Sequence, residues 1–237
     1  MSARFEELDW QPTPLGDISL RRRHDPALGV DVYEVKLGDE FLMSSLFVVA
    51  EIALADLGLA QVDGDKLDVV VGGLGLGCTA RAALADPRVR SLTVVEALDE
   101  VVSWHRRGML PYSGELISDP RCQLVTGDFF ALVAAERGSG APVLDEVDAV
   151  LLDIDHSPSH VLHPSHAGFY TSDGLHRLAD RLRPGGVFAL WSDDPPDEAF
   201  LALLGDVFAT ATATLVPFAN PVTGGESANS VYVATRG

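Results

Sequence analysis

Three carboxylates recur at one kind of place. Glu96 closes the apolar run Ser91–Val95, Asp128 follows Cys122–Thr126 and Gly127, and Asp153 closes Val147–Leu152. Each run reads as a buried strand, so the three acids should line one edge of a sheet, where open α/β sheets bind ligands. A carboxylate there can take the two hydroxyls of a ribose, or remove a proton from a nucleophile. Further candidates surround them. Asp155 and His156 follow Asp153 directly, and His160, His163 and His166 continue the run. Such spacing could gather imidazoles for a transition metal, but Pro158 and Pro164 break any single helix. The stretch reads as a polar loop over a cleft, and no metal is assigned. Trp191 ends another strand, where an indole could pack on an organic substrate or merely precede a helix cap.

The elements that must position these groups begin at L-D-V-V-V-G-G-L-G-L-G-C-T, residues 67–79. Three valines form a strand, Gly72, Gly73, Gly75 and Gly77 a close-approach turn, and Thr79–Ala85 a helix. Strand, glycine turn and helix start make the first unit of a nucleotide-binding α/β fold. Strand–helix alternation continues through helix Leu98–Arg107, a loop from Pro111 to Pro120, a helix from Phe129 to Glu136, an exposed linker at 137–142 and a loop over roughly 156–171. Helix Ser172–Leu182, the turn at 183–186, strand Val187–Trp191 and helix Asp197–Leu204 follow. Two closing strands, Val207–Val216 and Ser230–Thr235, are joined by a Pro/Gly-rich turn, the pattern of a seven-stranded methyltransferase-type sheet with an antiparallel hairpin. Before the core, residues 1–16 read as irregular. Strands Ile18–Arg23, Val30–Leu37 and Glu40–Met43 then form a small β region over 1–43, leaving 44–237 as the α/β domain. Ser44-Ser45 looks like the cap of helix Leu46–Leu59, which carries Glu51 either to its surface or to the cleft wall.

Bulk properties narrow the partners. With 35 acidic and 17 basic residues the formal charge is −18, a surface that repels nucleic acid. A small molecule, possibly cationic, suits it better. The one basic run, Arg21–Arg23, reads as surface or an edge used in dimerisation. No run approaches the roughly 20 apolar residues of a membrane span, and the start lacks a signal-peptide core, so a cytoplasmic protein is expected. Cys78 and Cys122 fall in core elements and read as reduced thiols.

Taken together, V-V-V-G-G-L-G-L-G-C-T-A-R, V-V-E-A (94–97), D-P-R-C-Q-L-V-T-G-D-F-F (119–130), D-A-V-L-L-D (148–153), F-Y-T-S-D-G-L (169–175) and L-R-P-G-G-V-F (182–188) resemble, in order, the spermidine synthase-like transferases of the S-adenosylmethionine fold. The resemblance covers most of the chain. It implies a donor site at Gly72, Gly73, Leu74, Gly75, Glu96, Ala97, Asp128 and Phe129, with Glu96 on the ribose and Asp128 on adenine. It also implies catalysis from Asp153, Asp155 or His156, acceptor contacts at Glu51, His160 and Trp191, and a homodimer or higher homo-oligomer. Trp104 and His105 could flank adenine, although core packing suits them better.

Two departures shape the expected chemistry. Aminopropyltransferases of this group carry an acidic residue where Gly75 stands, and of their Tyr-His-Glu cluster for the diamine only Glu51 has a counterpart. A loop carboxylate would repel the carboxylate of intact S-adenosylmethionine. The expectation is therefore methyl transfer from S-adenosylmethionine to a small molecule. Aminopropyl transfer from decarboxylated S-adenosylmethionine is the alternative, and a non-catalytic nucleoside-binding scaffold the second alternative.

Overall fold

Val69 and Val71 of the first core strand pack into one apolar cluster while Val70 packs into another. Side chains alternate across a strand, so a run of valines survives only where both sheet faces are covered. The computed structural model shows that arrangement and describes residues 5–136, 144 and 146–237. The linker expected at 137–142 lies outside the described residues.

A seven-stranded sheet runs β10-β11-β9-β8-β5-β6-β7. Its members are β5 (Leu67–Gly72), β6 (Val89–Glu96), β7 (Cys122–Thr126), β8 (Val147–Leu152), β9 (Leu182–Ser192), β10 (Thr210–Asn220) and β11 (Gly225–Thr235). β7, β6, β5, β8 and β9 are parallel, and β11 enters antiparallel between β9 and β10. This is the expected methyltransferase-type sheet. Helices α1 (Val49–Leu59), α2 (Cys78–Ala85) and α3 (Asp99–Arg106) supply Leu54, Ala80 and Val101 to one face. Helices α5 (Phe129–Ala134), α6 (Ser172–Arg181) and α7 (Glu198–Val207) supply Phe129, Leu175 and Phe200 to the other.

A four-stranded antiparallel sheet precedes this core, ordered β1 (Phe5–Thr13), β2 (Gly16–Asp25), β3 (Val30–Leu37) and β4 (Glu40–Ser44). Its Ile18, Leu20 and Val35 join the cluster beneath α1, so both sheets share apolar contacts. Residues 1–16 were expected to be irregular, with Pro12 and Pro14 as breakers, yet Phe5–Thr13 forms β1. Pro12 instead sits next to the last residue of an edge strand, a position proline tolerates. Arg21, Arg22 and Arg23 pair with Glu7, Glu6 and Glu34, so the basic run is neutralised within the small sheet.

Three boundaries differ from the sequence expectation. Helix α1 starts at Val49 without a side-chain cap, because Ser44 Oγ accepts from Leu46 N and Ser45 Oγ from Tyr33 N, tying both serines to the turn and to β3. A short helix, α4 (Ser113–Ser118), occupies the expected Pro111–Pro120 loop. The 183–186 turn belongs to β9, where Arg236 N bonds Gly186 O. Among the described residues no helix is long and apolar enough to cross a membrane.

Candidate active site

The carboxyl ends of β5, β6, β7, β8 and β9 open into a cavity of about 930 Å³, large enough for a nucleoside and a second small molecule. β4, the segment after β8 and the β10–β11 hairpin complete its walls through Met43, His156 and Phe218, among others. Gly73 shows why the turn needs glycine. Its φ is +94°, and a Cβ there would lie 2.1 Å from Asp153 O, which no rotamer relieves.

Glu96 lines the cavity and holds the glycine turn to the segment after β6. Its Oε2 accepts from Leu74 N and its Oε1 from Leu98 N, both at 3.0 Å. Burial pushes its carboxyl upward while these backbone N–H groups hold it down. Leu74, Gly75, Ala97 and Phe129 line the cavity beside it. Asp128 also lines it, but its Oδ1 caps α5 by accepting from Phe130 N at 2.9 Å and Ala131 N at 3.1 Å. Capping of this kind stabilises a helix by about 1 kcal/mol and leaves Oδ2 for a ligand. Gly72 departs from the expectation. It is buried inside the sheet, where a Cβ would meet Leu152 Cδ1 at 2.7 Å, and it forms no part of the cavity wall.

At the opposite end stand two carboxylates of one environment. Asp153 Oδ2 accepts a 2.6 Å bond from Thr79 Oγ1, and Glu51 of α1 faces the same part of the cavity. Burial raises the Asp153 carboxyl to about 6, with the Thr79 hydroxyl opposing the shift. Burial, then the charge of Asp153, raises Glu51 to about 8. Two like charges in a half-dry wall cannot both ionise freely, so near neutrality the pair shares a proton. Cys78 lines the same wall with its thiol pushed strongly upward by burial and by both acids.

Asp155 does not reach this site. It is 1 % exposed and accepts from Leu162 N at 2.8 Å, His166 Nδ1 at 2.8 Å and Tyr170 Oη at 2.9 Å. It lies past the end of β8 at Leu152, beneath the segment that follows, and holds that segment at Leu162, His166 and Tyr170. His160 is exposed and stands outside the cavity wall. His156 does line it, with its ring 4.8 Å from that of His160 and its Nε2 4.0 Å from Glu40 Oε2. His163 and His166 also border the cavity, His166 stacked at 4.0 Å on Phe130. Trp191 lines the cavity, and its buried Nε1 is without a hydrogen-bond partner.

Several contributors escape sequence reasoning. Thr79 shows only as a residue opening a helix, and Met43 only as the end of a β strand. Trp104 donates to Asp9 Oδ2 at 2.7 Å, anchoring β1, and His105 meets Gly75 O at 2.9 Å. Neither lines the cavity.

A seven-stranded sheet of this order, parallel but for its closing hairpin, is the Rossmann-like sheet of the methyltransferase type. Residues 48–201 match the spermine/spermidine synthase domain, and the chain belongs to that family. It is 32% identical over 152 residues to polyamine aminopropyltransferase 2 of Pseudomonas aeruginosa, a match spanning 60% of this chain and 40% of that protein. Putrescine N-methyltransferase 3 of Nicotiana tabacum is 31% identical over 134 residues, 56% of this chain and 32% of the relative. The chain thus aligns with well under half the length of these relatives. The fold matches spermidine synthase from Thermotoga maritima with a TM-score of 0.72 at 18% identity, covering 98% of this chain and 72% of that one. A probable spermidine synthase from Corynebacterium glutamicum gives 0.66 at 17% identity, covering 97% and 79%.

These findings correct the expectation of methyl transfer from intact S-adenosylmethionine. The family match and the aminopropyltransferase relative favour the alternative reading. Gly75 and the depleted diamine cluster pointed to methyl transfer, yet the cavity keeps the carboxylates of Glu51 and Asp153. That anionic pair repels a carboxylate tail whether or not the loop adds a third charge.

Proposed function

We propose that the protein transfers an aminopropyl group from decarboxylated S-adenosylmethionine to a small amine, as a polyamine aminopropyltransferase. The observation that carries this reading is the Glu51–Asp153 pair, two carboxylates of the cavity wall raised by burial, Glu51 also by the charge of Asp153. A cation entering there restores full ionisation of both, so an ammonium group is the natural ligand.

The nucleoside fits the donor end. Glu96 presents a carboxylate to the ribose, Asp128 Oδ2 is free for the base, and Leu98 and Phe130 offer apolar faces. When bound, the donor supplies a sulfonium-activated carbon: the amine lone pair forms the C–N bond as the C–S bond breaks, its electron pair passing to sulfur. The chain's own work is to orient and to move a proton. Thr79 holds Oδ2 of Asp153, leaving Oδ1 to take the proton from the acceptor ammonium. Glu51 keeps the second charge that retains the amine. His156, on the same wall and 22% exposed, passes the proton outward. Met43, Phe47 and Phe218 exclude water from the reacting atoms.

Calorimetry tests this directly. Putrescine should bind with proton release between pH 6 and 8, and its affinity should rise with pH across that range. A folded protein that binds methylthioadenosine but no diamine would remove the reading.

A further inference from the structure

Gly75 lies between two buried groups. The amide before it, Leu74 N, donates to Glu96 Oε2 at 3.0 Å, and its own carbonyl lies 2.9 Å from His105 Nε2. A carbonyl only accepts, so Nε2 carries the hydrogen and Nδ1 is left as the acceptor. Nδ1 faces Ser113 Oγ at 3.4 Å, and that oxygen accepts in turn from Leu110 N at 3.2 Å. A chain of donors therefore runs from the Leu110 amide through the Ser113 hydroxyl and the imidazole to the Gly75 carbonyl. The ring is 1 % exposed, and burial holds it below the usual histidine range, so it is neutral. It also fills the space beside the next glycine, where a Cβ on Gly77 would meet His105 Cε1 at 3.0 Å.

We infer that His105 is a positioning residue of the donor site: through its single tautomer it fixes the Gly75 peptide, and with it the glycine turn that receives the nucleoside. The inference rests on the donor site proposed above. A buried histidine serving only the core would stabilise the chain without setting donor affinity. Gly75 has φ +45°, so its peptide has many alternative orientations that a free turn would sample. The imidazole removes that freedom before the ligand arrives, and preorganisation of this kind appears as affinity.

Glutamine places an amide nitrogen where Nε2 stands, and asparagine places one where Nδ1 stands. Three variants of the full chain, His105→Gln, His105→Asn and Ser113→Ala, separate the roles. Two readouts are used: the Kd for methylthioadenosine, and amide hydrogen exchange over residues 73–77. His105→Asn should weaken binding about tenfold or more and speed exchange at Gly75 and Gly77, whereas His105→Gln should stay within about threefold of the parent. Ser113→Ala frees the tautomer and should move both readouts in the Asn direction by less. Equal affinity and exchange in the parent and His105→Asn would overturn the inference. So would a loss in His105→Gln as large as in His105→Asn. If His105→Asn does not fold, an unchanged Ser113→Ala protein overturns it instead, and a shifted one supports it. Should the parent bind no methylthioadenosine, the proposed function fails, and the exchange data alone decide the role of His105.

Discussion

Thr79 Oγ1 donates a 2.6 Å hydrogen bond to Asp153 Oδ2, joining the first turn of α2 to the end of β8 across the cavity floor. The bond favours the charged carboxylate against the burial that raises it. It also selects which oxygen is left to face an acceptor. Thr79→Val keeps the shape and removes the donor. The acid limb of kcat/KM should move up by about half a unit to one unit, because a hydrogen bond to the ionised form is lost. A profile that does not move would separate Thr79 from the chemistry.

Glu51 and Asp153 make stability depend on pH. Both carboxyls are raised in the folded chain, Glu51 to about 8. The folded state therefore holds protons that the unfolded chain has released, and stability falls as pH rises from the ordinary carboxyl range near 4.5 toward 8. Thermal unfolding without ligand should show Tm falling across that window, and Glu51→Gln should flatten the slope. Saturating putrescine should flatten it too, since a bound cation favours the ionised pair. A Glu51→Gln protein with an unchanged slope would show that the pair is not its origin.

Asp155 anchors structure, and its loss should appear first as instability. Asparagine keeps one acceptor oxygen but sets an N–H₂ group among Leu162 N, His166 and Tyr170, all of which donate to the carboxylate. Asp155→Asn should lower stability by about 2 kcal/mol or more, because a buried charged acceptor is lost and a donor faces donors. Chemical denaturation measures this. If stability holds and only turnover collapses, Asp155 belongs in the reaction after all.

Gly73→Ala should leave little folded protein. The new methyl would overlap the Asp153 carbonyl at 2.1 Å, a backbone atom with no freedom to retreat. Soluble yield and circular dichroism read the effect. Wild-type folding of this variant would mean that the turn adopts another conformation.

The sheet was legible because its signals are local. Three consecutive valines, glycines after them and an acid at each strand end each carry a positional meaning. The cavity's far wall was less so. Asp153 and Asp155 look equivalent in sequence, and strand alternation would put them on one side, yet β8 ends at Leu152 and the chain beyond it sets one on the cavity wall and buries the other against Leu162, His166 and Tyr170. Glu51 lies on an apolar helix with no marker of which way it faces, and only the packing of α1 on β9 and β11 sets that. Gly75 misled for the same reason. A missing carboxylate in the turn was visible, whereas the two supplied by α1 and β8 were separated by a hundred residues of chain. His105 and Thr79 act through contacts between distant segments, which no local pattern records.

Aminopropyl transfer served by the Glu51–Asp153 wall predicts two products in equal amounts. The most direct test incubates the protein with decarboxylated S-adenosylmethionine and putrescine, and follows methylthioadenosine and the extended amine by mass spectrometry. Both products should form in equal amounts with the parent chain, and Asp153→Asn should lower the rate by about a hundredfold or more. Stoichiometric methylthioadenosine without an extended amine, or undiminished turnover in Asp153→Asn, would contradict the account.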